Sequence, residues 1–215
     1  YTITPDPGYL VASVTVDEKP QGAISTYAFP NIADNHKIEA TFEIGWPTEG
    51  RLVSSPGGAA TTTADGTGGA FIVYSVNGVL FVKHILSSGV LDPKWPTAGV
   101  QVALATGAQT QPAAVSDGAG GVYVTWCQER VFSRVVFVQH IMSYGEAVQP
   151  RGVPVAAAPA MGHSPAIASD GAGGVYVAWT DTRTPDSNIY AQHISLENAE
   201  NDPNWSAEGL LVCGA

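Results

Sequence analysis

The chain has 215 residues, with 19 acidic side chains against nine basic ones, and charged residues make up only 13% of it. Seven acids and two bases fall in 1–49, and twelve acids and seven bases in the remainder, so no basic region hides in the average. Without clustered Lys or Arg to meet phosphates, nucleic acid and anionic membrane surfaces are excluded as partners, and no run approaches the roughly 18 apolar residues of a membrane span. The 24 glycines and 15 prolines suit an all-β chain with many tight turns better than a helical one.

The chain opens at Tyr1, inside a strand-like pattern, and reads as a piece of something longer. Thr2-Ile3-Thr4 leads into a Pro5-Asp6-Pro7-Gly8 turn. Val14 and Val16 then alternate within Tyr9 to Val16, and Asp17 to Gly22 reads as a polar turn. Tyr27 and Phe29 alternate within Ser25 to Phe29, as do Ile38, Ala40 and Phe42 within Lys37 to Phe42. Period-two apolar spacing between turn residues is the mark of a half-buried strand.

From about residue 45 the chain repeats itself, and a fixed period outranks other signals. Asp65-Gly66-Thr67-Gly68-Gly69 returns as Asp117-Gly118-Ala119-Gly120-Gly121 and as Asp170-Gly171-Ala172-Gly173-Gly174, 52 and 53 residues apart. An apolar strand follows each: Phe71 to Tyr74, Val122 to Trp126, Val175 to Trp179. A second strand ends in His-Ile, at His84, His140 and His193. A Trp-to-Gly signal then opens another strand at Trp95–Gly99 and Trp205–Gly209. The middle copy keeps Gly152 but has Val148 for the Trp. One such signal, Trp46 to Gly50 followed by Arg51-Leu52-Val53, stands before the first repeat.

The expected division is therefore a small β-module at 1–44 and an array at 45–215. The array holds three repeats at about 45–98, 99–151 and 152–208. An extra strand at 209–213 would be the first of a fourth unit that the chain does not contain. Each repeat supplies about four short strands. Gly66, Gly118 and Gly171 suit positive-φ hairpin turns capped by the preceding Asp.

Residues 1–43 resemble the divergent internalin-type B repeat through Thr2-Ile3-Thr4-Pro5, Gly8-Tyr9, Val14-Thr15-Val16-Asp17, Tyr27-Ala28-Phe29 and His36 to Phe42. The resemblance implies a spacer module of secreted bacterial surface proteins, with no catalytic residues to carry over. The array resembles β-propeller-like repeats of secreted bacterial proteins, with the third copy matching best. Its residues there are Pro165 to Gly171, Gly173-Gly174, Ala178-Trp179, Asp181, Arg183, Ile189 to Gln192 and Trp205. Closed propellers use four to eight blades, and an open array exposes edge strands. Either further blades of a longer chain complete the fold, or several copies of this chain complete one another.

Each candidate for chemistry has a plainer structural alternative. His84, His140 and His193 could bind zinc, but equivalent positions in successive blades lie apart, and shared packing explains them better. Asp65, Asp117 and Asp170 could bind calcium, but each loop offers a single carboxylate where calcium wants six to eight oxygens, so turn capping is the better reading. His36 and His163 have no carboxylate at a ligand-like spacing.

Trp126, Arg130, Trp179, Asp181 and Arg183 could form a sugar-binding rim, or instead a cation–π and ion-pair lock at a strand end. Cys127 and Cys213 could pair, or be two small buried apolar residues. No spacing couples a nucleophile, a base and an orienting group, and nothing asks for a cofactor.

The functional expectation is a non-catalytic extracellular or cell-surface structural and adhesive module. A carbohydrate-binding propeller fragment is the alternative, and a fragment of a glycan-active enzyme the third reading. The partners expected are other copies of the chain or further repeats of a longer one, with glycans as the alternative.

Overall fold

In a computed structural model the structure describes residues 1–6, 8–30, 34–46, 50–157, 161–195 and 200–213. Pro7 of the first expected turn and residues 47–49 of the Trp46–Gly50 signal lie outside them. The chain is all-β, and no helix occurs among the described residues. It divides into two units, one of Tyr1–Leu52 with Leu86–Val90, the other of Val53–Ile85 with Leu91–Ala215.

The first unit holds a three-stranded antiparallel sheet in the order β2-β1-β3, with β1 at Tyr9–Val16, β2 at Lys19–Gly22 and β3 at Ile38–Ile44. Val14 and Val16 are buried beneath it. The expected turn over 17–22 is shorter than read. Asp17 and Glu18 alone turn the chain, both at positive φ (49° and 65°), and Lys19 then pairs with Val16. Two positive-φ residues make the tight hairpin whose twist suits flanking strands, and Pro20 is tolerated because β2 is an edge strand.

Ser25–Phe29 does not form the expected strand. It contributes one bridge, Thr2 to Thr26, and is held by rings instead. Tyr1 and Tyr27 both meet Phe29 edge-on, and His36 stacks on it at 4.4 Å. Asp17 accepts from the Lys37 amide at 2.9 Å and lies 2.7 Å from His36 Nδ1. His36 thus has a carboxylate that local spacing does not reveal.

The second unit holds three four-stranded antiparallel sheets, each built from consecutive strands. The first has β4 (Ala60–Ala64), β5 (Ala70–Val76), β6 (Val79–Ile85) and β7 (Val100–Gln101). The second has β8 (Gln109–Ser116), β9 (Val122–Glu129), β10 (Arg134–Ile141) and β11 (Val153–Pro154). The third has β12 (Gly162–Ser169), β13 (Val175–Asp181), β14 (Asn188–Ile194) and β15 (Leu210–Cys213).

The sheets are phased one strand away from the repeats read in the sequence. The strand after each Trp-to-Gly signal closes the sheet just built, β7 on β6, β11 on β10 and β15 on β14. Residues 209–213 therefore complete the third sheet rather than begin a fourth, and Arg51-Leu52-Val53 forms no strand. The signal marks a reversal, but a reversal does not say which free edge the chain returns to. Gly209 shows why its place is fixed: at φ 83° a Cβ would lie 2.6 Å from the Trp179 ring.

The sheets pack face to face. Phe71, Val73, Leu80 and Val82 of the first meet Val122, Val124 and Trp126 of the second. Tyr123, Cys127, Val136 and Val138 on the other face of the second meet Val175, Val177 and Trp179 of the third. The middle sheet is buried on both faces, which is why β9 and β10 read as nearly unbroken apolar runs. Each fully buried large side chain contributes about 1.5–3 kcal/mol. Cys127 and Cys213 are both free thiols, the first buried and the second exposed. Burial pushes the Cys127 thiol up to about 11.

Candidate functional site

The Gly-rich loops and the His-Ile strands, which look independent in the sequence, meet in every sheet of the array. Asp117 Oδ1 accepts from the amides of Ala119 (2.7 Å) and Gly121 (2.8 Å), and its Oδ2 lies 2.8 Å from His140 Nε2. Asp170 repeats this with Ala172, Gly174 and His193. Asp65 does so with Thr67, Gly69 and His84, and the Thr67 hydroxyl donates as well. Gly66, Gly118 and Gly171 turn these loops at φ 76–82°. The last glycine of the second and third loops has a separate cause: at Gly174 a Cβ would stand 2.6 Å from both Asp170 Oδ2 and the Ile194 carbonyl.

A second aspartate closes two of the three clusters. Asp92 Oδ2 lies 2.9 Å from His84 Nδ1, and Asp202 Oδ2 lies 2.8 Å from His193 Nδ1. The middle sheet has Val148 at this place, whose amide donates to the His140 carbonyl as those of Asp92 and Asp202 do to their histidines. Rings cover the imidazoles: Phe71 stacks on His84, Tyr123 on His140 at 4.1 Å, and Tyr176 lies against His193. Trp95 and Trp205 tilt over the first and third histidines.

Protonation in these clusters follows the pairing. Burial pushes the Asp65 and Asp117 carboxyls up, but donated hydrogen bonds outweigh it and hold both below the usual carboxylate range. The bonds from His193 hold Asp170 and Asp202 low. Burial lowers His193, yet its two carboxylates raise it overall.

The three histidines do not converge on one another; each binds within its own sheet. The oxygens of each loop aspartate already face amides and a ring. No group of three or more metal-ligating side chains is found among the described residues. No nucleophile joins a His-Asp pair among the contacts above. The Thr67 hydroxyl donates to Asp65, not to His84. The arrangement is a lock between the β4-type loop and the third strand of each sheet.

Of the two readings of Trp126, Arg130, Trp179, Asp181 and Arg183, burial removes the sugar-binding rim at the two tryptophans. Trp126 is 0% exposed and Trp179 2%, because both face inward between sheets, so neither ring can stack on a sugar. Trp179 Nε1 donates to Asp181 at 3.1 Å. Arg183 donates to the same carboxylate at 2.6 Å, reaches Glu208 at 3.1 Å, and lies 4.4 Å over the Tyr190 ring. Burial raises the Asp181 carboxyl, but Arg183 and the indole hold it low.

In the middle sheet Gln128 stands where Asp181 does. It donates to the Thr106, Gly107 and Ala108 carbonyls and accepts from Trp126. Arg130 lies 5.6 Å over Phe137 and has no carboxylate within ion-pair distance among the described residues. It opens instead onto a cleft of about 700 Å³, lined by Gln101, Leu104, Thr106, Phe137 and Arg151 among others. Sequence reasoning missed Arg151, although its place just before Gly152, where the third repeat has Glu208 before Gly209, was there to find.

No protein-family model matches the chain, and no curated protein matches it.

Proposed function

We propose that the chain is a non-catalytic extracellular structural and adhesive repeat module. In this reading its three sheets are propeller-type blades, and the open face of the third accepts another sheet of the same repeat. One contrast carries this reading. Tyr123 of the second sheet is 0% exposed, and its hydroxyl donates to the Gly173 carbonyl of the third sheet at 3.1 Å. Tyr176 holds the same place on the third sheet and is 45% exposed. Ile189, farther along the same face, is also exposed. A face built to the pattern of a covered one suits a cover of the same kind, and a second copy of this chain offers one. The likeness of 1–43 to internalin-type spacer modules supports a place at the cell surface. The use of the Asp and His side chains in structural locks supports a non-catalytic role.

The test is sedimentation velocity over a wide concentration range. Association that grows with concentration is expected, and Tyr176→Asp should abolish it while leaving the far-ultraviolet circular dichroism unchanged. A wild-type chain that stays monomeric throughout, or a Tyr176→Asp chain that associates as before, would count against the reading.

A further inference from the structure

The second and third sheets carry the same small site in opposite electrical states. In the third, Arg183 is neutralised by Asp181 and Glu208, one cation against two anions. In the second, Gln128 replaces the aspartate and Arg151 replaces the glutamate, which leaves two cations and no anion at the same register. The correspondence is structural. Trp126 pairs with Phe137 as Trp179 pairs with Tyr190. Gly152 lies against the Trp126 ring as Gly209 lies against that of Trp179. A chain of net charge −10 thus holds two arginines together on one cleft, with no carboxylate within ion-pair distance of either among the described residues.

We propose that this cleft binds an acidic sugar unit of a glycan, its oxyanion held by Arg130 and Arg151. Two guanidinium forks match the geometry of a carboxylate or sulfate ester better than any neutral group. The remaining lining fits a sugar. Gln101 donates to the Ala103 carbonyl and keeps its own carbonyl oxygen to accept a hydroxyl. Thr106 is exposed, and Leu104, 64% exposed, offers apolar surface for ring C–H groups. The volume lies within the usual range of small-ligand sites. An acidic peptide suits the cleft less well, because strand addition needs a row of free backbone groups and the edge strand here, β7, is two residues long. The inference does not rest on the assembly reading above.

Isothermal titration calorimetry with the full chain tests it, using a galacturonic acid trisaccharide, a sulfated oligosaccharide, a neutral galactose trisaccharide and inorganic sulfate. Binding is expected for at least one acidic sugar, and the two acidic arms tell carboxylate from sulfate. It should weaken with salt and fall about tenfold or more in Arg130→Gln and in Arg151→Glu. Arg151→Glu restores the arrangement seen at Glu208, so the fold should survive it. Lys94→Glu makes the same change in net charge at an exposed lysine outside the cleft and should leave affinity within about twofold. The proposal is overturned if the neutral sugar binds as well as the acidic ones, or if none binds. It is equally overturned if inorganic sulfate binds as tightly as the sugars, or if Lys94→Glu weakens binding as much as Arg151→Glu.

Discussion

The second and third sheets of the array share strand order, register and a Trp-aromatic pair, yet they end in different chemistry. The third closes its strand end with a buried ion pair, and the second closes it with neutral amide bonds. Conversely, the third grips its histidine with two carboxylates and the second with one. A shared backbone pattern therefore does not impose a shared polar network. Each sheet needs its buried polar atoms satisfied, and different side chains meet that need.

The largest expected effect comes from removing the buried anion of the third sheet. Asp181 is fully buried and is the shared acceptor of Trp179 and Arg183. Asp181→Ala leaves the guanidinium with the half-exposed Glu208 as its only carboxylate among the described residues. Breaking a buried pair from one side costs about 3–5 kcal/mol. Gln128→Ala, its counterpart in the second sheet, unpairs neutral groups and should cost about 1–3 kcal/mol. Urea unfolding midpoints of the two variants measure the gap. Equal losses would mean that the charge of Asp181 adds nothing to its hydrogen bonds.

Much of this comparison was legible in the chain and some was not. The repeat, the strand pattern and the Asp-Gly turns followed from local spacing, because turn chemistry and period-two alternation are local effects. The meeting of each loop aspartate with its histidine was not legible, since 19 to 23 residues separate them and only strand pairing brings them together. The same holds for the phase of the repeats, where the edge that Leu210–Cys213 joins is a matter of tertiary pairing. Lys19–Gly22 was misread because Asp-Glu is not a usual positive-φ turn pair. The choice between rim and lock at Trp126 and Trp179 was not legible, because a Trp near a strand end looks alike whether it faces a sugar or a neighbouring sheet.

The doubly held histidine gives a smaller effect with a definite sign. His193 is raised from its ordinary value of 6.5, so its contribution is complete below 6.5 and fades as the pH rises through the raised value. Asp170 and Asp202 are lowered from 3.8, so theirs is complete above 3.8 and is lost as the pH falls through the lowered values. The third-sheet lock is therefore strongest between these limits. The difference in unfolding free energy between the wild type and His193→Gln should be widest there and narrow on both sides. A difference that stays flat from acid to alkali would show that the imidazole acts by packing against Tyr176 and Trp205 alone.

The smallest effect should come from converting one lock into the other. Val148 occupies the place of Asp92 and Asp202, with its amide already bonded to the His140 carbonyl, so Val148→Asp needs no new backbone path to bring a carboxylate to His140 Nδ1. The variant gives up the partial burial of a valine and gains one charge-assisted hydrogen bond, terms of about 1–2 kcal/mol that oppose each other. The net change in stability at neutral pH should therefore lie within about 1 kcal/mol. The pH profile is the more telling readout. An alkaline decline should appear in the difference between Val148→Asp and the Val148→Asp, His140→Gln double variant, matching the one expected at His193. If no such decline appears, the second carboxylate does not act through the histidine, and the first and third sheets keep theirs for the turn that carries it.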